Sequence, residues 1–115
     1  MRFIAVLGVL FVLASCSDSD MRKNFALSCY KTDRDETFIH FFEFDFDKNI
    51  VIRDDGSRDY KYSIEEVSPI KIVFVQKNIH DGVWVLDRGN LNIEQTDFFS
   101  QSIKRTIFKC KPPQV

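Results

Sequence analysis

The sequence predicts a small all-β domain: an antiparallel up-and-down meander of about eight strands that closes as a barrel, with an open β-sandwich as the alternative. Beyond residue 24, apolar and polar residues alternate with a period of two in most segments, a pattern typical of half-buried strands. Short turn signals separate these segments. Two distant cysteines, Cys29 and Cys110, would lie in the first and last strands, and only a curled sheet brings those strands together.

The richest alternating segment is the second predicted strand, where Phe38, His40, Phe42, Phe44 and Phe46 share one face. We expect this face to fill the core, although it could instead line a ligand cavity in a small barrel. His40 is expected to be a hydrogen-bonded core residue because its neighbours on that face are aromatic.

Turn residues then divide the chain into further strands. Asp47-Lys48-Asn49 predicts a turn, and Asp54-Asp55-Gly56-Ser57 predicts a hairpin because Asp-Gly supplies the positive φ that such turns require. Pro69 ends or bends the strand before it because proline lacks the N–H for the ladder. One segment, 62–67, could also form a helical turn. The remaining predicted strands are 50–52, 60–64, 70–75, 83–88 with Trp84 and Leu86 on one face, 91–96 and 103–110.

The first 15 residues have the pattern of a secretory signal peptide. A positive start at Met1-Arg2 precedes an apolar run, Phe3 to Leu13, which is shorter than the roughly 20 residues that span a membrane. We therefore expect residues 1–15 to be a signal peptide and residues 25–115 to form a single β domain.

The boundary sequence Leu13-Ala14-Ser15-Cys16 resembles the lipobox of bacterial lipoproteins. The resemblance implies that Cys16 is lipidated and that residues 16–24 form a flexible tether to a membrane of the cell envelope. Ser17 stands where many Gram-negative lipoproteins carry the Asp that retains them at the inner membrane. The resemblance therefore implies anchoring in the outer membrane, facing the periplasm.

Composition limits the function classes. The formal net charge of −1 provides no basic surface for nucleic acid, so we expect no nucleic-acid partner. Aromatic residues make up 14% of the chain, far more than a disordered chain carries.

The two cysteines beyond the anchor are expected to form a disulfide, because an even pair in an oxidising compartment has no competitor. A Cys2His2 metal site with His40 and His80 is the alternative, but neither residue type comes in the close pairs typical of structural zinc sites.

No motif indicates catalysis, so we expect no enzyme, no metal and no cofactor. The chain lacks a Gly-x-Ser-x-Gly elbow, and neither histidine lies in a recognisable triad setting. Asp45, Asp47 and Asn49 match the first three positions of a calcium-binding EF loop, but Ile50 and Gly56 stand where Gly and Glu are required. These polar residues are instead expected to flank a hairpin turn.

Two loops carry the candidate binding residues, since binding groups tend to lie on loops held by a rigid scaffold. Phe98 and Phe99 interrupt a polar loop, 97–102, where adjacent large apolar residues are unusual without a partner. Asp55 and Arg58 place charges of both signs around Gly56.

The segment Gly56-Ser57-Arg58-Asp59-Tyr60 is one residue longer than the Ser-Gly-x-x-Tyr motif of the membrane-bound inhibitors of c-type lysozyme. The domain resembles these lipidated small barrels with cysteines in the first and last strands, but the motif difference means that no inhibitory residue is carried over. We expect a lipid-anchored protein-binding or inhibitor module whose partner is another protein. The alternative is a small hydrophobic ligand carrier that uses the barrel interior.

Overall fold

A computed structural model describes residues 21–32, 38–76, 82–98 and 103–113, and these residues form a closed antiparallel barrel. Each strand pairs with its neighbours in sequence, which confirms the predicted meander. The strands are β1 (Phe25–Lys31), β2 (Ile39–Asp45), β3 (Ile50–Asp54), β4 (Asp59–Val67), β5 (Lys71–Val75), β6 (Val83–Asp87), β7 (Asn92–Asp97) and β8 (Lys104–Lys111).

Pairing of β1 with β8 closes the barrel. Cys29 lies directly opposite Cys110 in this pair, and a disulfide joins them. The prediction of closure and of the bridge is therefore confirmed, and the open sandwich is excluded. Closure also pairs the backbone groups that the two terminal strands would otherwise expose as sheet edges.

Alternate side chains of every strand point inward and fill the barrel. Thirteen of them form one core and are at most 6% exposed. Aromatic rings dominate the centre, where Trp84 lies 5–6 Å, ring centre to ring centre, from Phe42, Tyr62, Phe74 and Phe108. Phe42 and Phe44 therefore pack the core, as expected for so narrow a barrel, and Phe46 packs against it. The expectation was wrong for Phe38, which is 65% exposed because it precedes β2 and lies beyond the paired part of the strand. The buried core residues are Leu27, Cys29, Phe42, Phe44, Val51, Tyr62, Ile64, Ile72, Phe74, Trp84, Leu86, Ile93 and Phe108.

Two local features differ from the simplest expectation. In β3 the fully buried residue is Val51, while Ile50 and Ile52 are only partly buried. The segment that could have formed a helical turn, 62–67, is instead the second half of β4, with a bulge between Ile64 and Glu66. The bulge shifts the register against β5, and this adjustment accommodates the helix-like spacing of apolar residues within a strand.

The meander gives the barrel two ends. We call the end with the β1–β2, β3–β4, β5–β6 and β7–β8 connections the mouth, and the opposite end the base. Met21 lies at the base, where its carbonyl accepts a hydrogen bond of 2.9 Å from Arg88. Asn24 also binds there, accepting from the backbone N–H of Phe46 at 2.8 Å. The chain therefore enters the domain at the base and runs along β1 towards the mouth.

Candidate functional site

The β7–β8 hairpin carries an apolar pair at the mouth. Asp97 and Lys104 form the last register pair of the two strands, so Phe98 and Ile103 follow on opposite sides of the same hairpin. Their side chains are 59% and 66% exposed. Phe98 is thus outside the core. Phe99 lies outside the described residues.

The β3–β4 turn holds the other predicted candidates. One carboxylate oxygen of Asp55 accepts hydrogen bonds from the backbone N–H groups of Ser57 at 2.9 Å and Arg58 at 3.0 Å, and from the Ser57 hydroxyl at 2.9 Å. These backbone N–H groups hold the pKa of Asp55 far below its ordinary value. Gly56 has a φ of 97°, as the Asp-Gly pattern predicts. Asp55 therefore shapes the turn.

A hydrogen-bonded chain links this turn to the barrel wall. Arg58 donates from Nε to the hydroxyl of Tyr60 at 2.9 Å, and that hydroxyl donates to the second carboxylate oxygen of Asp55 at 3.2 Å. Arg58 itself remains exposed at the mouth. Its cation is therefore held in position and accessible to a partner.

Below the turn lies a cluster that the sequence analysis did not single out, formed by His40, Arg53, Tyr60, Tyr62 and Trp84. We call it the mouth cluster. The guanidinium carbon of Arg53 is 4.0 Å from the ring centre of Tyr60 and 5.0 Å from that of Trp84. Both distances are within the range of cation–π attraction. Arg53 is thus held partly inside the barrel, on the same face of β3 as the buried Val51.

Two hydrogen bonds to described residues hold the guanidinium of Arg53. Nε donates to the Tyr62 hydroxyl at 3.0 Å, and one terminal nitrogen donates to Nδ1 of His40 at 3.3 Å. Arginine has five N–H donors, so these two contacts with described residues engage only part of the group. Within residues 21–32, 38–76, 82–98 and 103–113, the ion pairs are Lys71–Glu66 and Arg105–Glu94, and Arg53 takes part in neither.

His40 is neutral in this arrangement. An arginine N–H can only donate, so Nδ1 of His40 accepts and the ring proton lies on Nε2. Burial, followed by the positive charges of Arg53 and Lys31, lowers the pKa of His40, and Asp55 opposes this with a smaller effect. The ring also packs edge-on against Phe108 at 5.2 Å. His40 is thus hydrogen-bonded, as predicted, but it is only partly buried and is not one of the thirteen core residues.

The indole of Trp84 forms the floor of the mouth cluster and is only 1% exposed. Its Nε1–H is the one buried side-chain donor without a hydrogen-bond partner among the described residues. Leaving such a donor unpaired costs about 1–3 kcal/mol.

The sequence contained a signal for Arg53 that depended on register. Val51 and Arg53 alternate on one face of β3, and Arg53 pairs with Tyr60 across to β4. A cation on an inward face, opposite a tyrosine, is unusual for a small barrel core. The signal was hidden because Ile50 and Ile52 made the opposite face equally apolar.

Other candidate chemistries are explained by structural roles. Cys29 and Cys110 are bonded to each other, so the alternative Cys2His2 site is wrong. Asn24 donates to Asp47 at 3.3 Å and its side-chain oxygen accepts from the backbone N–H of Phe46, so the acidic turn after β2 is tied to the base. Over the part of the chain that the structure describes, no group of three or more His, Cys, Asp or Glu side chains is close enough to bind a metal ion.

At the base, an open cleft of about 460 Å³ is lined by Ile70, Lys71, Val85 and Arg88 among others. Among the described ranges, no helix has the length and apolar character needed to cross a membrane. Comparison with protein families, curated proteins and solved structures found no match for the chain.

Proposed function

We propose that this chain is a lipid-anchored protein of the bacterial cell envelope that binds another protein through the mouth of its barrel. The observation that carries the proposal is the pair Phe98 and Ile103, which face solvent on a hairpin at the mouth, each more than half exposed. Apolar residues at such positions do not stabilise the domain by burial. They are well placed to be covered by a partner.

The charged β3–β4 turn lies at the same end of the barrel, on the side opposite this hairpin, and supplies the polar part of such an interface. Arg58 is exposed and held by Tyr60, and the turn that carries it is braced by Asp55. Protein interfaces commonly combine apolar anchor residues with arginine. An arginine that is already held in one conformation loses little conformational entropy when it binds. Both features belong to connections at the same end of the barrel.

The path of the chain supports this orientation. Met21 is held at the base by Arg88. If Cys16 carries the lipid, Met21 lies five positions further along the chain, a reach of at most about 18 Å. The base would then face the bilayer and the mouth would point away from it, towards molecules in the periplasm.

The packed interior gives the carrier alternative little support. Phe42, Phe74, Trp84 and Phe108 are at most 1% exposed and lie in ring contact with one another. A hydrophobic ligand of ordinary size would have to displace these rings, which together form the centre of the core. Displacing or truncating a buried aromatic ring costs about 3–5 kcal/mol.

Cross-linking and capture from intact envelopes, with an affinity tag on the full chain, would test the protein-binding proposal. Changing Phe98 and Phe99 together to Ser should weaken partner capture about thirtyfold, which corresponds to about 2 kcal/mol. Arg58→Glu should weaken capture as well. Ile70→Ser is the matched control, because Ile70 is 70% exposed but lies at the base. Melting temperatures should be nearly unchanged in all three variants.

Two results would contradict the proposal. If Ile70→Ser reduced capture as much as the Phe98 and Phe99 change, the loss would reflect general surface apolarity and not the mouth. If the mouth variants captured the same partners as the unaltered protein, the binding surface would lie elsewhere. A c-type lysozyme is a suitable first purified partner, because the domain resembles lysozyme inhibitors in its sequence features, and inhibition can be measured directly.

A further inference from the structure

We infer that the base of the barrel is a docking surface for an anionic lipid bilayer, in which the Ile70 side chain enters the headgroup layer and nearby cations bind phospholipid phosphates. The inference rests on the proposed lipid anchor at Cys16, and it concerns the end of the barrel opposite the proposed protein-binding surface. Three features support it: the exposed apolar turn that carries Ile70, the positive charge of the base, and the short stretch of chain between Cys16 and the base.

The β4–β5 turn holds an apolar side chain in a fixed position at the base. Ile70 is 70% exposed, the largest fraction among the exposed large apolar side chains of the described residues. The Ser68 hydroxyl oxygen accepts from the backbone N–H groups of Ile70 and Lys71, at 3.3 and 3.1 Å. The carbonyl of Ile70 accepts from the backbone N–H of Arg88 at 2.8 Å. The turn therefore fixes Ile70 without burying it, as expected for a surface that is covered from outside.

The base is positively charged. The structure describes the segments at this end, which are 21–24, 46–49, 68–70, 88–91 and 112–113. They carry four cations and one anion, which are Arg22, Lys23, Lys48, Arg88 and Asp47. The strand ends that border these segments add two acidic and two basic residues, which balance each other: Asp45, Asp87, Lys71 and Lys111. This excess of positive charge attracts an anionic bilayer, and each cation near such a surface strengthens binding about fivefold.

The cations of the base have two roles. Three of them are exposed, and neither ion pair of the described ranges involves them: Arg22, Lys23 and Lys48. Arg88 instead donates from one terminal nitrogen to the carbonyls of Met21 at 2.9 Å and Ser68 at 3.3 Å. It thereby holds the entering chain beside the turn that carries Ile70. The apolar side chain and the tethered end of the domain therefore lie together.

The open cleft of about 460 Å³ at the base lies beside Ile70 and has room for a lipid headgroup. Its charged lining residues are two cations and one anion, Lys71, Arg88 and Asp87. The Asp87 carboxylate accepts backbone N–H groups of the following turn. Lys71 pairs with Glu66 at 3.5 Å, and such an exposed pair is weak enough for a phosphate to replace it. A phosphate in this cleft would lie next to Ile70, as a headgroup lies next to acyl chains.

The chain between the anchor and the base is too short to let the domain move far from the bilayer. Met21 lies five positions after Cys16, a reach of at most about 18 Å. A tether of this length keeps the base at a high effective concentration near the lipid surface. Individually weak contacts at Ile70 and the cations are therefore sufficient to hold the base against it.

Two tryptophan variants of the full chain test the docking: Ile70→Trp at the base and Ile103→Trp at the mouth, where the native side chains are 70% and 66% exposed. Each acylated variant would be reconstituted on vesicles of brominated phosphatidylcholine, with or without phosphatidylglycerol. The buried Trp84 contributes the same background to both. Bromine should quench Ile70→Trp about twofold more than Ile103→Trp. The quenching should be stronger with phosphatidylglycerol and weaker at high salt, which screens the cations.

Two pairs of neighbouring cations provide a matched test of charge. Arg22→Gln with Lys23→Gln should reduce the quenching of Ile70→Trp on anionic vesicles towards its value on phosphatidylcholine alone. Lys104→Gln with Arg105→Gln removes the same charge from two exposed residues at the mouth and should leave the quenching unchanged. Near-ultraviolet circular dichroism would confirm that each variant is folded.

Hydrogen exchange of the unaltered protein on the same vesicles requires no variant. Backbone amides of 68–70 and 88–91, at the base, should exchange more slowly on anionic vesicles than in detergent. Amides of the mouth turn 55–58 should not. Protection of the base that rose with the density of protein on the vesicles, and not with phosphatidylglycerol, would assign the base to a second copy of the chain and overturn the inference.

The failure of docking and the failure of the proposed function give different results. Mass spectrometry of the purified chain that showed no acyl groups on Cys16 would refute the anchor and this inference with it. An acylated chain in which Ile70→Trp and Ile103→Trp were quenched equally would refute the docking alone, as would equal quenching of Ile70→Trp with and without phosphatidylglycerol. Partner capture uses the mouth, so Ile70→Ser should weaken docking and leave capture unchanged.

Discussion

The disulfide between Cys29 and Cys110 offers the sharpest test of the closed barrel. It joins residues 81 positions apart and bridges the two strands whose pairing closes the sheet. The proposed perturbation is reduction of the bond, which is preferable to substitution because it leaves the buried sulfur of Cys29 in place.

The expected magnitude follows from the length of the closed loop. For a loop of about 82 residues, the chain-entropy relation gives about 4.5 kcal/mol of stabilisation at 25 °C. Small domains commonly have a free energy of unfolding of about 5–15 kcal/mol. Reduction should therefore remove a large fraction of the stability of this barrel, and the reduced protein should unfold at a much lower urea concentration.

The assay is urea denaturation followed by Trp84 fluorescence, with and without a reducing agent. With the disulfide intact, the unfolded chain is more compact and exposes less surface. Reduction should therefore also increase the slope of the unfolding free energy against urea concentration. If the free energies of unfolding of the reduced and oxidised proteins differed by less than about 1 kcal/mol, the reasoning would be refuted. Reaction of both cysteines with a thiol reagent in the unfolded, unreduced protein would refute it too.

Three further changes test other parts of the molecule. Replacing Cys16 with Ala should abolish labelling by a palmitate analogue, which would be measured by metabolic labelling; persistent labelling would exclude Cys16 as the lipidation site. Folding lowers the pKa of His40. The contribution of His40 to stability should therefore be present at pH values above the ordinary histidine pKa, and it should be lost as the pH falls through the lower pKa of the folded state. The pH dependence of the urea midpoint should therefore flatten in His40→Gln, and an unchanged slope would contradict the assigned contacts. Gly82→Ala should destabilise the protein by more than about 1 kcal/mol, because a Cβ there would overlap the backbone carbonyl of Thr96. Gly56→Ala, at a similar φ but in open space, is the control and should destabilise the protein less. Equal midpoints of thermal denaturation for the two variants would count against this packing.

The fold was largely predictable because binary patterning and turn chemistry act locally. The alternation of β2 predicted that Phe42 and Phe44 would be buried, and both are fully buried. Closure was also predictable, since the two cysteines constrain the terminal strands. The bulge in β4 was not, because it depends on the pairing of β4 with β5, which shifts register between Ile64 and Glu66.

The site was predictable only in part, for a physical reason. The exposure of Phe98 could be inferred from its polar neighbours in sequence, whereas its role in binding stays a prediction. Arg53 was missed because its environment is made by residues from β2, β4 and β6, and only the register of the sheet brings them together. An inward-facing cation has no local signature in a strand that is apolar on both faces.

The up-and-down order of strands has a consequence for folding kinetics. Seven of the eight strand pairings connect consecutive strands, so each can nucleate from a short hairpin without a large loss of chain entropy. The pairing of β1 with β8 alone requires the whole domain to be in place. We therefore expect early intermediates to be open sheets with two unsatisfied ends, and docking of the last strand on the first to limit the rate at which the native state appears. Until that step, the same two ends could also recruit another copy of the chain, which makes rapid closure a safeguard against aggregation.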